Sequence, residues 1–271
     1  MNTPASALEL DTLSLSPRES RLFFRIGQFA GYTSCFSAGY VQGNLCILPR
    51  EYALDFATYC QRNPKACPLI AIGDAGDPFL PMLGEDLDIR TDVPRYVVFR
   101  DGEVVEEPTD IRHVWRDDLV SFVWGCGFSF EHALVEAGVS LRDIACGDNV
   151  CMYETNIDTL PVGPFGGKLV VTMRPLLPAH AIRAIQITSR FTSVHGAPMH
   201  IGKPEMLGIT DLERPLFDAT PPQMRVDEIP VFWACGVTAR FAIHRARLPF
   251  CITHNPGSMV IADQLNSSLA I

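Results

Sequence analysis

Most of the patterns that would assign a chemistry at sight are missing from this sequence. It has no Cys-x-x-Cys pair and no histidine at finger spacing from a cysteine, so no structural zinc site is expected. It has no other metal motif, no phosphate-binding loop and no dinucleotide fingerprint. Gly163, Gly166 and Gly167 precede an apolar run, which is the wrong order for a Rossmann turn. Chemistry without metal or cofactor is therefore the expectation. No run reaches the roughly 18 apolar residues of a membrane-spanning helix. The opening MNTPASALELDTLSLSP is polar and acidic, with neither a basic nor an apolar leader region, which predicts a cytoplasmic protein. Basic residues are in deficit, 22 Lys and Arg against 31 Asp and Glu, for a net charge of -9. Such a surface repels phosphate, so neither nucleic acid nor membrane is an expected partner. A small anion remains possible, because it responds to the local field of a cleft.

What is present is ample core material. The chain has 271 residues, 47% hydrophobic and 20% charged, enough for one large domain or two modest ones. Nine cysteines, several inside apolar runs such as NLCILP and FWACG, form an odd count and predict reduced thiols.

Residues 1–17 read as a loose arm. Ser16, Pro17 and Glu19 then mark a helix start. A second helix is predicted over REYALDFATYCQRN, and a buried strand over CPLIAIG. RYVVFRDGEVVEE reads as a hairpin turning at Asp101-Gly102. A helix is expected to begin near Asp117 or Asp118, and another over FEHALVEAGV, closed by Gly138. GGKLVVTMRP and PVFWACGVT read as strands, AIRAIQITSRF as helix passing into strand. PFCITHNPGSMVIAD combines a strand, a Gly/Pro loop and a further apolar segment. Intermixed helices and strands predict an α/β core.

Phe122-Val-Trp-Gly-Cys126-Gly127-Phe-Ser129 parallels Phe232-Trp-Ala-Cys235-Gly236-Val-Thr238. Each is an apolar strand ending in Cys-Gly before a helix-compatible stretch. A helix N-terminus at such a turn offers free N–H groups to a carboxylate and lowers the pKa of a thiol. Both cysteines are equally consistent with buried structural residues.

His195 and His200 share a Gly/Pro-framed loop, SVHGAPMHIG, and His254 ends an apolar strand at a Gly/Pro turn. Each is a candidate for proton transfer or, more plainly, for fixing its loop through backbone hydrogen bonds. Arg174 and Arg190 are candidates for gripping a carboxylate through two parallel hydrogen bonds; a salt bridge is the plain alternative. Asn156, Gln42 and Asn44 are polar groups among apolar neighbours, suited to substrate binding or to capping loop backbone. Glu131, one turn into the predicted helix after Gly127, could serve as a carboxylate base, although first-turn acids need no such reason.

The segments GYVQGNLCILP, CQRNPKACPL, DIRTDVPRYVVFRDG, GCGFSFEHAL, TSRFTSVHGAPMHIG, VFWACGVT and ITHNPGSM together resemble the hydro-lyase family related to D-glutamate cyclase. The resemblance runs from about residue 20 to about residue 265. It implies a two-domain, oligomeric α/β protein, a homodimer or higher homo-oligomer, with carbon–oxygen lyase activity on a small carboxylate or amino acid. In the cyclase the reaction dehydrates D-glutamate to 5-oxo-D-proline. The expected architecture is a main three-layer α/β domain (1–125 and 205–271) with a smaller inserted two-layer α+β domain (126–204). The chain departs from the family pattern at Ser258, where a second histidine is usual, at Lys203, where an aspartate is usual, and at Ala262, where a threonine is usual. If that histidine moved a proton, Ser258 cannot replace it.

Three functions compete on these residues. The first is a cofactor-free hydro-lyase or cyclase, with Arg174 and Arg190 holding carboxylate and a His or Cys moving the proton. The second is a two-thiol racemase or epimerase, with Cys126 and Cys235 roughly 7 Å apart across one carbon. The third is a carboxylate-binding protein without turnover.

Overall fold

The computed structural model describes residues 11–141 and 150–271. Most of the predicted arm and Cys146 lie outside them. The first helix, α1 (Pro17–Arg25), starts where the sequence signals it, with Ser16 and Glu19 closing a reciprocal capping box. The next element, β1 (Tyr40–Pro49), is buried along almost all of its length. Pro49 ends it and α2 (Arg50–Arg62) follows. β2 (Leu69–Ile72) is an edge strand with Ile72 exposed, not the buried strand its apolar composition predicts. β3 (Tyr96–Arg100) and β4 (Glu103–Glu106) form the expected hairpin, and Asp101 and Gly102 both take positive φ at its turn.

The helix expected near residue 117 is absent; β5 (Leu119–Gly125) occupies that stretch. Its β-branched and aromatic residues bury both faces of a strand, which outweighs the capping signal of Asp117 and Asp118. α3 (Phe128–Glu136) follows, then β6 (Met152–Asp158), β7 (Lys168–Leu176) and α4 (Pro178–Thr188). The strand expected after α4 is replaced by turns. The remaining elements are β8 (His200–Ile201), β9 (Ile229–Ala234), α5 (Val237–Ala246), β10 (Phe250–His254) and β11 (Val260–Leu265).

The fold is mixed α/β with two sheets. The larger runs β2-β5-β1-β10-β3-β4, with β11 also paired to β1; the smaller runs β6-β7-β9-β8. Every pairing is antiparallel. The smaller sheet takes a central strand, β9, from beyond residue 204.

Side chains of a strand alternate between faces, and β5 and β9 use this to join two cores. Val123 of β5 and Val231 and Trp233 of β9 enter one cluster with Phe130 and Leu134 of α3. Phe122 and Trp124 of β5 and Phe232 and Ala234 of β9 enter the other with Phe56 and Tyr59 of α2. Because neither face meets water, both strands read as continuous apolar runs. Their C-terminal ends carry the two Cys-Gly turns.

Seven cysteines among the described residues have free thiols, but Cys35 is disulfide-bonded, so the expectation of reduced thiols fails there. An odd count excludes only the pairing of every cysteine.

Candidate active site

The two parallel sequences fold as two strand–turn–helix units: β5, Cys126, Gly127, α3 and β9, Cys235, Gly236, α5. Gly127 and Gly236 are the respective N-cap residues, with nearly the same backbone angles. The units are clamped together where they meet. Trp124 Nε1, in the first unit, donates to the Gly236 carbonyl of the second at 3.1 Å. Asn44 Nδ2, on β1, donates to the Gly125 carbonyl of β5 at 2.9 Å. A Cβ on Gly236 would lie 2.4 Å from Asn44 Nδ2 and 2.8 Å from Trp124 Nε1, so only glycine admits this contact.

Between the two helix N-termini lies a cavity of about 690 Å³, its mouth included. Much of that volume is the open mouth; a water-sized sphere can centre itself in only about 70 Å³ of it. Six of the sequence candidates line it: Asn44, Cys126, Arg174, His195, Cys235 and His254. A seventh, Glu131, reaches it through its ion pair with Arg174.

Arg174, at the end of β7, is 4% exposed and highly constrained. Nη2 pairs with the buried Glu131 carboxylate, Nη1 donates to Thr172 Oγ1 at 3.1 Å, and the guanidinium carbon lies 5.6 and 5.2 Å from the Phe130 and Trp233 ring centres. Burial of such a pair is tolerable because each charge has its partner.

His195 sits on the loop after α4, pressed against the end of β5. A Cβ on Gly125 would come within 3.1 Å of Ser193 O and Val194 Cα. Its Nδ1 lies 2.9 Å from the Lys65 carbonyl oxygen. That oxygen can only accept, so the ring proton sits on Nδ1 and Nε2 keeps its lone pair. Burial holds the pKa down to about 4, with Arg174 adding repulsion, so the ring is neutral near pH 7.

His254, the last residue of β10, has the same depression to about 4, from burial and from the nearby Arg240. Its Nδ1 faces the backbone of Leu45, and either tautomer finds a partner there. The position of His254 comes from a gap in the pairing of β1.

The thiols depart from expectation. Burial pushes Cys126 up to about 12 and Cys235 to about 11. The N–H groups of Phe128 and Val237 and the Arg174 charge act in the opposite direction and are outweighed. Both thiols are protonated at neutral pH, because desolvation of a thiolate exceeds what one helix end returns.

Four candidates lie elsewhere. Arg190 is exposed, and its Nε donates to the Ile271 carbonyl at 3.1 Å. His200 lies on β8, with Nε2 2.9 Å from the Lys203 carbonyl. Asn156 is exposed on β6. Gln42 is buried, but its amide is committed to Thr33 and Phe36. The family departures are also outside the cavity lining. Ser258 is buried and donates to the Gly31 carbonyl at 2.9 Å, and the Lys203 side chain is exposed.

Sequence reasoning missed Arg240. It sits one turn into α5 and lines the cavity beside His254. The signal was available: Arg240 follows Cys235-Gly236 at the same spacing by which Glu131 follows Cys126-Gly127. Thr172, which holds Arg174, was missed as well.

Among the described residues, no cluster of three or more His, Cys, Asp or Glu could hold a metal ion, and no helix is long and apolar enough to cross a membrane.

A family profile described as D-glutamate cyclase matches residues 120–263, which span both Cys-Gly turns and every lining residue of the cavity but Asn44. A putative hydro-lyase of Bordetella pertussis is 56% identical over 267 residues, covering 98% of this chain and 96% of that protein. Putative hydro-lyases of Verminephrobacter eiseniae and Bradyrhizobium diazoefficiens are each 55% identical, over 260 and 257 residues, covering 96% and 95% of this chain and 94% of each relative. A nitrogen repressor-like protein of Methanococcus jannaschii, 10% identical, aligns over 87% of this chain and 91% of its own at a TM-score of 0.38, too distant to support any inference. Matched along nearly its whole length by putative hydro-lyases and over residues 120–263 by the profile, the chain belongs to the D-glutamate cyclase family.

Proposed function

We propose that this protein is a hydro-lyase that removes water from a small amino or hydroxy acid in the cavity between the two Cys-Gly turns, without cofactor, with D-glutamate as the first substrate to test. One observation carries the reading. A neutral His195 with an unprotonated Nε2 shares a cavity with two arginines, one of them buried and locked to a carboxylate.

For D-glutamate the reaction joins the amine to the side-chain carboxyl. A C–N bond forms, a C–O bond breaks, and both protons lost from the ammonium leave with the oxygen as water. His195 Nε2 takes the first proton. The imidazolium it becomes is a strong acid, since its environment holds its pKa down, and it hands the proton to the departing oxygen. His254 offers a neutral ring to a substrate oxygen, a role that a depressed pKa suits. Arg174, held by Glu131 and Thr172, supplies a fixed positive edge for negative charge on the tetrahedral intermediate. Excluding water from the cavity strengthens each of these interactions.

Incubation with D-glutamate followed by mass spectrometry tests this directly. A product lighter by one water supports the reading; unchanged D-glutamate removes that substrate.

The two-thiol alternative keeps one supporting observation: Cys126 and Cys235 line the same cavity. It needs one sulfur as thiolate, and both are held protonated. Exchange of the α-hydrogen in deuterium oxide, without loss of water, would favour it. Stabilisation by carboxylates with no turnover of any kind would favour a binding protein.

A further inference from the structure

The two arginines of the cavity are not equivalent. Arg174 has its counter-ion in Glu131. Arg240 has no carboxylate within salt-bridge distance among the described residues, and its Nη1 is enclosed without a hydrogen-bond partner. The acid that acts on it electrostatically is Glu107, which is already paired with Arg95 at 2.8 Å. Its other neighbour is the Phe217 ring, 5.7 Å from the guanidinium carbon. A desolvated cation left in this state is costly unless something else neutralises it.

We propose that Arg240 is the anchor for the substrate's non-reacting carboxylate, and that the cavity selects ligands of net charge minus one. The charge balance around the cavity leads there. Among the described lining residues, Arg174 is cancelled by Glu131, both imidazoles and both thiols are uncharged at neutral pH, and Arg240 leaves one positive charge in excess. Desolvation lowers Arg240 only to about 10, so it stays cationic. An acid with two carboxylates and one ammonium matches that excess, and so does a simple monocarboxylate; a dicarboxylate without an amine overcharges the site.

The placement also orients the ligand. Arg240 acts on His254, and Arg174 acts on His195 and on both thiols. The anchored carboxylate therefore lies at the His254 end, and the reacting carbon lies toward His195 and Arg174. The proposal rests on the hydro-lyase reading for the word substrate but not for the binding itself.

The test is thermal shift and calorimetry on the full chain with millimolar acetate, D-glutamate, glutarate and the uncharged diamide of glutaric acid. Wild-type protein, Arg240→Met and Arg240→Lys are compared. For wild type we expect D-glutamate to bind best and the diamide not to bind. For Arg240→Met we expect roughly thirtyfold or greater loss of D-glutamate affinity, with partial recovery in Arg240→Lys. The ligand-free melting temperature of Arg240→Met should equal or exceed that of wild type, because an uncompensated charge has been removed. A residue with a merely structural role would lower it. The inference is overturned if none of the anions stabilises the wild type, if glutarate binds as well as D-glutamate, or if Arg240→Met keeps wild-type affinity. Anion binding that depends on Arg240 without any dehydration would instead refute the hydro-lyase reading and leave this one standing.

Discussion

His254 Nδ1 lies 3.1 Å from both the backbone nitrogen and the backbone oxygen of Leu45. This is the point at which β1 changes partners: Gly43 still pairs with Val260 of β11, and Cys46 already pairs with Thr253 of β10. An imidazole thus fills the gap between two ladders, and its second nitrogen is left for the cavity. Structural and chemical roles reside on different atoms of one ring, so a substitution can separate them. His254→Asn keeps a polar group near the Nδ1 position and removes Nε2. It should fold with nearly unchanged stability while kcat/KM falls roughly tenfold to hundredfold, the worth of a hydrogen bond to a charged group. Full activity in a folded Asn variant would leave His254 with the ladder role alone.

The buried imidazoles also set an acid limit on stability. Both His195 and His254 have folded pKa values near 4 against an ordinary value of 6.5. Between those values the unfolded chain binds protons that the folded chain does not, so stability falls as pH drops from about 6.5 to about 4. Each ring contributes about 3 kcal/mol across that window. Urea midpoints measured between pH 7.5 and pH 4.5 should show this slope, and it should flatten in His195→Asn. A wild-type profile that is flat over the window would mean that the rings titrate in the folded protein as they do in the unfolded chain.

Much of this site was legible in the sequence because its residues stand at punctuation marks. Cys126 and Cys235 close apolar runs before glycine, and His254 closes one before Asn-Pro-Gly. Such endings mark strand termini, where side chains meet cavities. Gln42 and Asn44 show the limit. Two residues apart on β1, they share a face and a polar amide, yet Asn44 lines the cavity while Gln42 binds the 33–36 turn. Which of the two is free depends on β11 pairing and on a distant loop, and no local pattern records either. Arg190 and Arg240 show the same limit for charge. Sequence context shows that an arginine follows a helix or opens one, but not whether a carboxylate will meet it.

The Arg174–Glu131 pair predicts a non-additive mutant cycle. Both side chains are almost fully buried, so removing one charge strands the other. Glu131→Gln should destabilise the protein by about 3 kcal/mol or more, and Arg174→Met by a similar amount. The double variant should recover much of the loss, since no buried charge is then left unpaired. Urea unfolding of the four proteins measures the coupling; additive losses would mean that solvent reaches the pair.

The two thiols give a kinetic prediction. With both held protonated by burial, alkylation by iodoacetamide at pH 8 should be far slower at Cys126 and Cys235 than at an ordinary exposed cysteine, because only the thiolate reacts. Cys126→Ala should keep dehydration within about tenfold of wild type if His195 moves the proton. Loss of all activity in that variant, with the fold intact, would transfer the proton step to sulfur.

The duplicated turns make a final contrast, because equal backbone angles do not make them equally tolerant. A Cβ on Gly127 meets nothing closer than Phe130 at 3.4 Å and Arg174 at 3.5 Å, which is ordinary contact. A Cβ on Gly236 would overlap Asn44 Nδ2 and also Trp124 Nε1, the donor that clamps the units together. Gly127→Ala should therefore change stability by less than about 1 kcal/mol, and Gly236→Ala should cost about 1–3 kcal/mol through overpacking. Activity should fall more than stability in Gly236→Ala, since the clash moves α5 and with it Arg240 away from His254. Equal melting temperatures for the two variants would show that the clamp is loose, and the relative placement of the two helix N-termini would then need another cause.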